Sequence, residues 1–271
     1  MLTELFDQDR RLRIEYKKLI NSNYFNIELL EKIDNYFNDF IDYNNIPFND
    51  IIKRYNNFLI RYSSDIENFL SSGKYPYLLD KNKSVQRIDY HISLILSTVL
   101  TIPRHRIINN LYNYCKNIKG NILIIGLGSG LELEILNSLS SYKRIDAYDI
   151  SISNFVKDRF KNKSNIVESE FNGNEEFYDF IIAIELLEHL SNPYQFLSMC
   201  YQSLKKEGII LTTTAMDIPQ FDHLYNFDNE NYFEKKIKNI GLSISYSEEI
   251  KHQLLKKNFH PKNTWYILNK L

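Results

Sequence analysis

Apolar residues in the first half of the chain recur at intervals of three and four. Ile27, Leu30, Ile33, Phe37, Phe40 and Ile41 form one series, and Ile51, Tyr55, Phe58, Tyr62, Ile66 and Phe69 form a second. That period lays one apolar stripe along a helix, so residues 1 to about 118 read as helical. Gly73 and Pro76 break the pattern in a loop at 71–77, which 80–84 extends. Two more helices are expected at 85–100 and, with Pro103 in its first turn, at 104–117. From Asn121 the pattern changes. Short apolar runs at 121–125, 144–149, 165–168, 179–184 and 208–213 alternate with helical stretches, which predicts a parallel sheet wound on both faces. Gly241 ends a helix expected at 230–240, and the runs 242–246 and 264–268 alternate or cluster like strands. The fold class is α/β and doubly wound, with an N-terminal helical cap. No repeat or low-complexity linker separates the halves. Residues 1–85 are therefore read as a cap or lid on a domain spanning 86–271, in which helices at 86–118 lead into a core at 119–271.

The first central strand, Ile122 to Ile125, runs into Gly126, Gly128 and Gly130, and Leu133, Leu136 and Leu139 follow at helical spacing. A strand, a bare backbone turn and a helix N-terminus cradle a nucleotide-like ligand, because glycine accepts positive φ and lets a ligand approach the main chain. A dinucleotide fingerprint runs G-x-G-x-x-G. Here Leu131 stands at its third position and the glycine falls one residue early, which argues against a nicotinamide oxidoreductase. Asp149 ends the next apolar run, where a carboxylate can accept both ribose hydroxyls of an adenosine-type cofactor.

Further on come Tyr178 and Asp179 at a strand start, Glu188, His189 and Leu190 in a turn after that strand, and a turn at 204–208 leading into a fifth strand. In this order the motifs resemble the class I S-adenosylmethionine-dependent methyltransferases over roughly the last 155 residues. The resemblance implies a seven-stranded sheet closed by an antiparallel hairpin, with the segment 247–263 long enough to reach over the site. It also implies S-adenosylmethionine as cofactor. Gly126, Gly128 and Gly130 would leave room for its methionine and ribose portions, and Asp149 would take the ribose hydroxyls. Ile150 would lie along the adenine, Glu170 would hold the adenine amine and Phe171 would cover the ring, with Glu185 also in the cofactor site. The family more often has Asp where Glu170 stands, and the neighbouring Glu168 competes for the slot.

Glu185, Glu188 and His189 follow the fourth strand, where ligands of open α/β sheets bind, and their spacing places them on one turn. The pattern is similar to the E-x-x-E-H of ubiquinone-pathway O-methyltransferases and of small-RNA 2′-O-methyltransferases, in which these side chains hold a divalent cation. His223, after the fifth strand, would complete such a set. Three uses stay open at this level: a divalent metal held by Glu185, Glu188, His189 and His223; a metal-free base at His189 or His223; or a structural role. No metal is assigned, and His189 and His223 are the expected catalytic residues. Arg104 and Arg106 stand where a guanidinium can meet a cofactor carboxylate or a substrate phosphate, or simply form a solvated basic face. His91, among apolar neighbours, reads as a satisfied helix histidine, and Tyr75 and Tyr77 as pocket wall or core packing.

Composition narrows the partners. Lys+Arg 33 against Asp+Glu 34 leaves a formal charge of -1, so no basic surface is expected and nucleic acid is not the expected partner. Cys115 and Cys200 lie too far apart for a metal or disulfide motif, which fits a reducing compartment. The N-terminus lacks a signal-peptide pattern, and the stretch 92–100 is too short to span a bilayer. A cytoplasmic protein without membrane contact is expected, its oligomeric state open. The expected activity is methyl transfer from S-adenosylmethionine to a hydroxyl or amine of a small molecule, such as a sugar, phosphorylated metabolite or natural-product intermediate. Metal-dependent RNA 2′-O-methylation and a non-catalytic scaffold are the alternatives.

Overall fold

A computed structural model describes residues 1–74, 86–139, 141–173, 175–227, 229–252 and 261–271. The aromatic pair Tyr75 and Tyr77 and the extension at 80–84 lie outside the described residues. The chain begins with α1 (Leu2–Asp7), α2 (Arg10–Ile20), α3 (Ile27–Tyr43), α4 (Phe48–Ser72), α5 (Arg87–Leu100) and α6 (Ile102–Cys115). Local chemistry sets several ends. The Asp9 carboxylate accepts the N–H groups of Arg11 and Leu12 at the start of α2, and Asn26 accepts that of Leu29 at the start of α3. The apolar stripe read in α3 is its buried face, including Leu29, Ile33, Tyr36, Phe37 and Phe40.

Seven strands form one sheet: β1 (Lys119–Ile125), β2 (Ser141–Asp149), β3 (Asn165–Glu168), β4 (Tyr178–Ala183), β5 (Leu204–Met216), β6 (Leu242–Lys251) and β7 (Lys262–Lys270). Their order is β3-β2-β1-β4-β5-β7-β6, with β7 antiparallel to both of its neighbours. The helices α7 (Leu131–Leu139), α8 (Asn154–Phe160), α9 (Pro193–Ser203) and α10 (Glu230–Ile240) complete the alternation. Two expectations need correction. The stretch 204–208 is the first part of β5, not a turn: Tyr178 pairs with Leu204 but Phe180 with Ile209, so β5 bulges opposite Asp179. The bulge accompanies an ion pair of Lys205 with Asp179 at 2.8 Å, and the same carboxylate accepts the Asn121 N–H at 2.8 Å. The second correction shortens the insertion after Ser247, because β6 continues to Lys251 and β7 begins at Lys262.

Alternate residues of β1 serve different layers. Ile122 and Ile124 join a core that continues through α5, α6, α7 and α8 into the cap helices, whereas Leu123 and Ile125 pack with residues of α9 and α10. The cap therefore shares one apolar interior with the sheet. At that seam Tyr36 of α3 is fully buried, and its hydroxyl donates to the Ser129 carbonyl at 2.7 Å. The ring meets Phe155 edge-on at 5.4 Å and lies under the Arg159 guanidinium at 5.1 Å. Removing that hydroxyl, Tyr36→Phe, leaves a buried carbonyl without its partner and is expected to destabilise the fold by about 1 kcal/mol. Urea denaturation measures it; an unchanged midpoint would show that the bond contributes nothing.

Candidate active site

The carboxyl ends of β1 and β4 adjoin where the strand order reverses, which opens a crevice above the sheet. A cavity of about 910 Å³ occupies it, with α4 of the cap and the entry helix α5 forming part of its wall. That volume is near the top of the range of ~300–1,000 Å³ usual for small-molecule sites. Of the expected residues, Gly126, Gly128, Asp149, Ile150, Glu170, Phe171, Glu185, Glu188, His189 and His223 all line it.

Gly130 is not on the cavity wall. Its φ is +85°, and a Cβ there would stand 2.6 Å from both the Tyr36 hydroxyl and a Val156 methyl. The third glycine thus admits the cap and α8 against the loop, a packing role like that of the third glycine in a dinucleotide fingerprint. Asp149 holds the same loop from the other side: one carboxylate oxygen accepts the N–H groups of Leu127 at 2.7 Å and Gly128 at 3.2 Å. The other oxygen accepts Ser151 N–H at 2.9 Å. A carboxylate has about four lone-pair sites, so capacity remains for a ligand. Ile150 is 74 % exposed, an apolar side chain on the cavity wall with no protein partner covering it. The two acids at the end of β3 differ in their surroundings. Glu168 is tied to Lys157 at 2.7 Å and to the Ile152 N–H at 2.7 Å, whereas Glu170 reaches the cavity. Phe171 is buried edge-on to Tyr148 at 5.2 Å.

After β4 the chain turns sharply, with Glu185 at φ +50°. Its N–H donates to the Thr213 hydroxyl at 2.7 Å, and that hydroxyl donates back to the Glu185 carboxylate at 2.9 Å. Asn263 donates to the same carboxylate at 2.9 Å, and Arg104 approaches it at 3.7 Å. Glu185 consequently does not join the metal-type cluster that was one of the open uses; the turn aims it at β5, β7 and α6 instead. The remaining three do converge: one ligand atom each of Glu188, His189 and His223 lies within 4.8 Å of the others.

Their environment sets their states. Glu188 is 1 % exposed, and one of its oxygens has no partner. Burial, with the Glu185 charge, pushes its pKa up to about 8. His189 Nδ1 donates to the Asp222 carbonyl at 3.0 Å and His223 Nδ1 to the Ile218 carbonyl at 2.8 Å, so in both neutral rings Nε2 keeps its lone pair. Burial alone would lower the pKa of His189, but the charges of Asp222 and Glu188 outweigh it and the shift is upward. Burial and neighbouring His189 push His223 down to about 4.

Arg104 of α6 is 13 % exposed, bonds Glu132 at 2.6 Å and pairs through Nη1 with Glu185 at 3.7 Å, while its Nε and Nη1 make no hydrogen bond. It is a half-buried guanidinium on the cavity wall, not a solvated face. Arg106 points elsewhere, to Glu248 and over the Tyr24 ring at 4.1 Å. The residue that sequence reasoning passed over is Asp222: its carboxylate accepts from Gln220 at 2.8 Å, while its carbonyl fixes His189. Nothing in the local pattern marks it, because the histidine it holds comes from the turn after β4. Cys115 and Cys200 are buried and unpaired. Among the described residues no helix is long and apolar enough to cross a membrane.

The profile of the methyltransferase domain matches residues 100–260. The chain belongs to the methyltransferase domain family. Its sheet order and flanking helices are those of the class I methyltransferase fold. This methyltransferase is 35% identical over 104 residues to the mitochondrial ubiquinone biosynthesis O-methyltransferase of Rattus norvegicus, a match covering 35% of this chain and 30% of that protein. The Mus musculus protein of the same description is 34% identical over 104 residues, 35% of this chain and 28% of its own length. The match thus spans less than a third of either relative. Among solved structures, an O-methyltransferase from neocarzinostatin biosynthesis superposes with a TM-score of 0.52 at 13% identity, covering 78% of this chain and 68% of that one. A Bacillus halodurans protein described as a methyltransferase gives 0.51 at 13% identity, covering 59% and 97%. Identities this low show the shared fold.

His91 of the methyltransferase is 4 % exposed, edge-on to Phe40 at 6.2 Å. Burial, with the charge of Arg87, pushes its pKa down to about 4. Its folded pKa lies below its unfolded one, so its contribution is complete above about pH 6.5 and is lost as pH falls from there toward 4. His91→Leu is expected to reduce the stability lost over that interval by on the order of 3 kcal/mol. Denaturation curves at pH 7 and pH 4.5 measure it, and parallel losses in both proteins would refute the assignment.

Proposed function

We propose that this methyltransferase moves the methyl group of S-adenosylmethionine to a hydroxyl or amine of a small molecule. The observation that carries the reading is the single cavity joining the β1 loop, Asp149, Glu170 and Phe171 to the Glu188–His189–His223 trio. The residues present fit the cofactor. Asp149 takes the ribose hydroxyls, Glu170 the adenine amine, and Ile150 and Phe171 flank the ring. Arg104, beside the first turn of α7 and with Nε and Nη1 making no hydrogen bond, suits the cofactor carboxylate. Glu185, held by Thr213, Asn263 and Arg104, borders the same region.

The cofactor supplies a methyl group already activated by positive sulfur, so the protein's task is positioning, water exclusion and removal of the acceptor's proton. His189 Nε2 is the group we assign to that proton, with Asp222 fixing the ring. The trio also fits a divalent cation, having one unpartnered carboxylate oxygen and two imidazole lone pairs. Such an ion would act as a Lewis acid on an acceptor oxygen. The two uses exclude one another, since a nitrogen that ligates a cation has no lone pair for a proton. RNA 2′-O-methylation is supported by the same trio. The cap wall over the cavity and the formal charge of -1 favour a small acceptor instead.

Calorimetry with S-adenosylhomocysteine is expected to show binding that Asp149→Ala weakens by about tenfold or more. Full affinity in that variant would remove Asp149 from the site. Methyl transfer that survives a chelator would assign the trio to the proton, and its loss would assign it to a cation.

A further inference from the structure

The half of the cavity beyond the cofactor residues has a composition of its own. Phe58 and Tyr62, one helical turn apart on α4, present nearly parallel rings, 5° between planes and 6.4 Å between centroids. Tyr90 of α5 leans against Phe58 at 6.0 Å, and all three are half-buried on the cavity wall. Tyr90 feels the charge of Asp222, whose carbonyl holds His189, so Tyr90 stands on the trio's side of the cavity.

Several polar groups on this side are already engaged. The hydroxyls of Ser93, Ser97 and Thr101 donate to carbonyls of their own helix. Gln220 is bound to Asp222 and Asn263 to Glu185. Among the described residues the lysines and arginines of the cavity wall are Arg87 and Arg104. Arg87 donates to the Ser151 carbonyl beside Ile150, and Arg104 is paired with the Glu132 and Glu185 carboxylates, so both are already engaged. A sugar would give up its water here for few new hydrogen bonds, and a phosphorylated metabolite would have to compete with those partners. What the wall offers is a pair of parallel rings in the same cavity as the Glu188–His189–His223 trio.

We propose that the acceptor is an uncharged, planar aromatic compound carrying a hydroxyl, with its ring against Phe58, Tyr62 and Tyr90 and its hydroxyl at the Glu188–His189–His223 trio. This narrows, and rests on, the methyl-transfer reading above. In the reaction the hydroxyl oxygen forms a bond to the methyl carbon as the carbon–sulfur bond breaks. The electron pair of that bond goes to sulfur, giving the neutral thioether, and the hydroxyl proton passes to the trio. Phe58 and Tyr62 set specificity through ring contact and take no part in the bond change.

The test is calorimetry on the full chain saturated with S-adenosylhomocysteine, titrated with 2-naphthol, catechol, glucosamine, glucose 6-phosphate and ethanolamine. The phenols are expected to bind and the others not. Phe58→Ala should weaken 2-naphthol by about tenfold, the loss of a ring contact worth ~1.4 kcal/mol, with S-adenosylhomocysteine affinity unchanged. Tyr62→Phe, which keeps the ring, should bind 2-naphthol like the parent, and Tyr62→Leu should not. Binding of S-adenosylhomocysteine together with an amine or sugar but no phenol would overturn this inference and leave the methyl-transfer reading standing. So would phenol binding indifferent to both ring deletions. Failure to bind S-adenosylhomocysteine at all would overturn that reading, and this inference with it.

Discussion

The bond between the Asp149 carboxylate and the backbone of the loop leaving β1 is the constraint on which the rest of the site depends. One oxygen ties down two successive N–H groups, those of Leu127 and Gly128, and so fixes the mouth of the crevice at the ends of β1 and β2. Charge-assisted bonds of this kind are about twice as strong as neutral ones, and the backbone they hold has no side chains of its own to define its path. Tyr36 closes the loop from behind by accepting no freedom at Gly130 and bonding Ser129. The loop is therefore clamped between an acid of the sheet and a tyrosine of the cap.

That clamp gives the cap two connections to the chemistry. Behind the glycine loop it supplies Tyr36; over the cavity it supplies Phe58 and Tyr62, next to Tyr90 of α5. The segment after β5 is held by the same helices. Asp65 of α4 accepts the Phe221 N–H at 3.1 Å, and Arg61 lies 5.1 Å over the Phe221 ring. Asp65 is 3 % exposed, so burial raises its pKa while Arg61 opposes the rise. Phe221 precedes Asp222 and His223, which places the anchor next to the residues that orient and complete the trio.

The sheet and its cofactor side were legible because their signals are local. A buried run bounded by glycines, an acid at a strand end, and a glycine after a helix each constrain the backbone within a few residues. Asp149 and the 230–240 helix were found in this way. The trio was legible in part. Glu188 and His189 were named from their spacing and His223 from the family resemblance, but neither reveals that the turn at Glu185 has positive φ and directs that side chain to Thr213 and Asn263. Gly130 was misread because the sequence does not show which face of the turn a cap tyrosine fills. Arg104 and Asp222 depend on partners from distant elements, and no local period records such a pairing. The bulge at the start of β5 escaped for the same reason, since its cause is Asp179 on the neighbouring strand.

The most direct test of the central claim is a crystal structure of the protein with S-adenosylhomocysteine. The account predicts the ribose hydroxyls on the Asp149 carboxylate, the sulfur facing the Glu188–His189–His223 trio, and the loop at Gly126 and Gly128 against the ligand. A ligand seated away from Asp149, or with its sulfur turned from the trio, would contradict it.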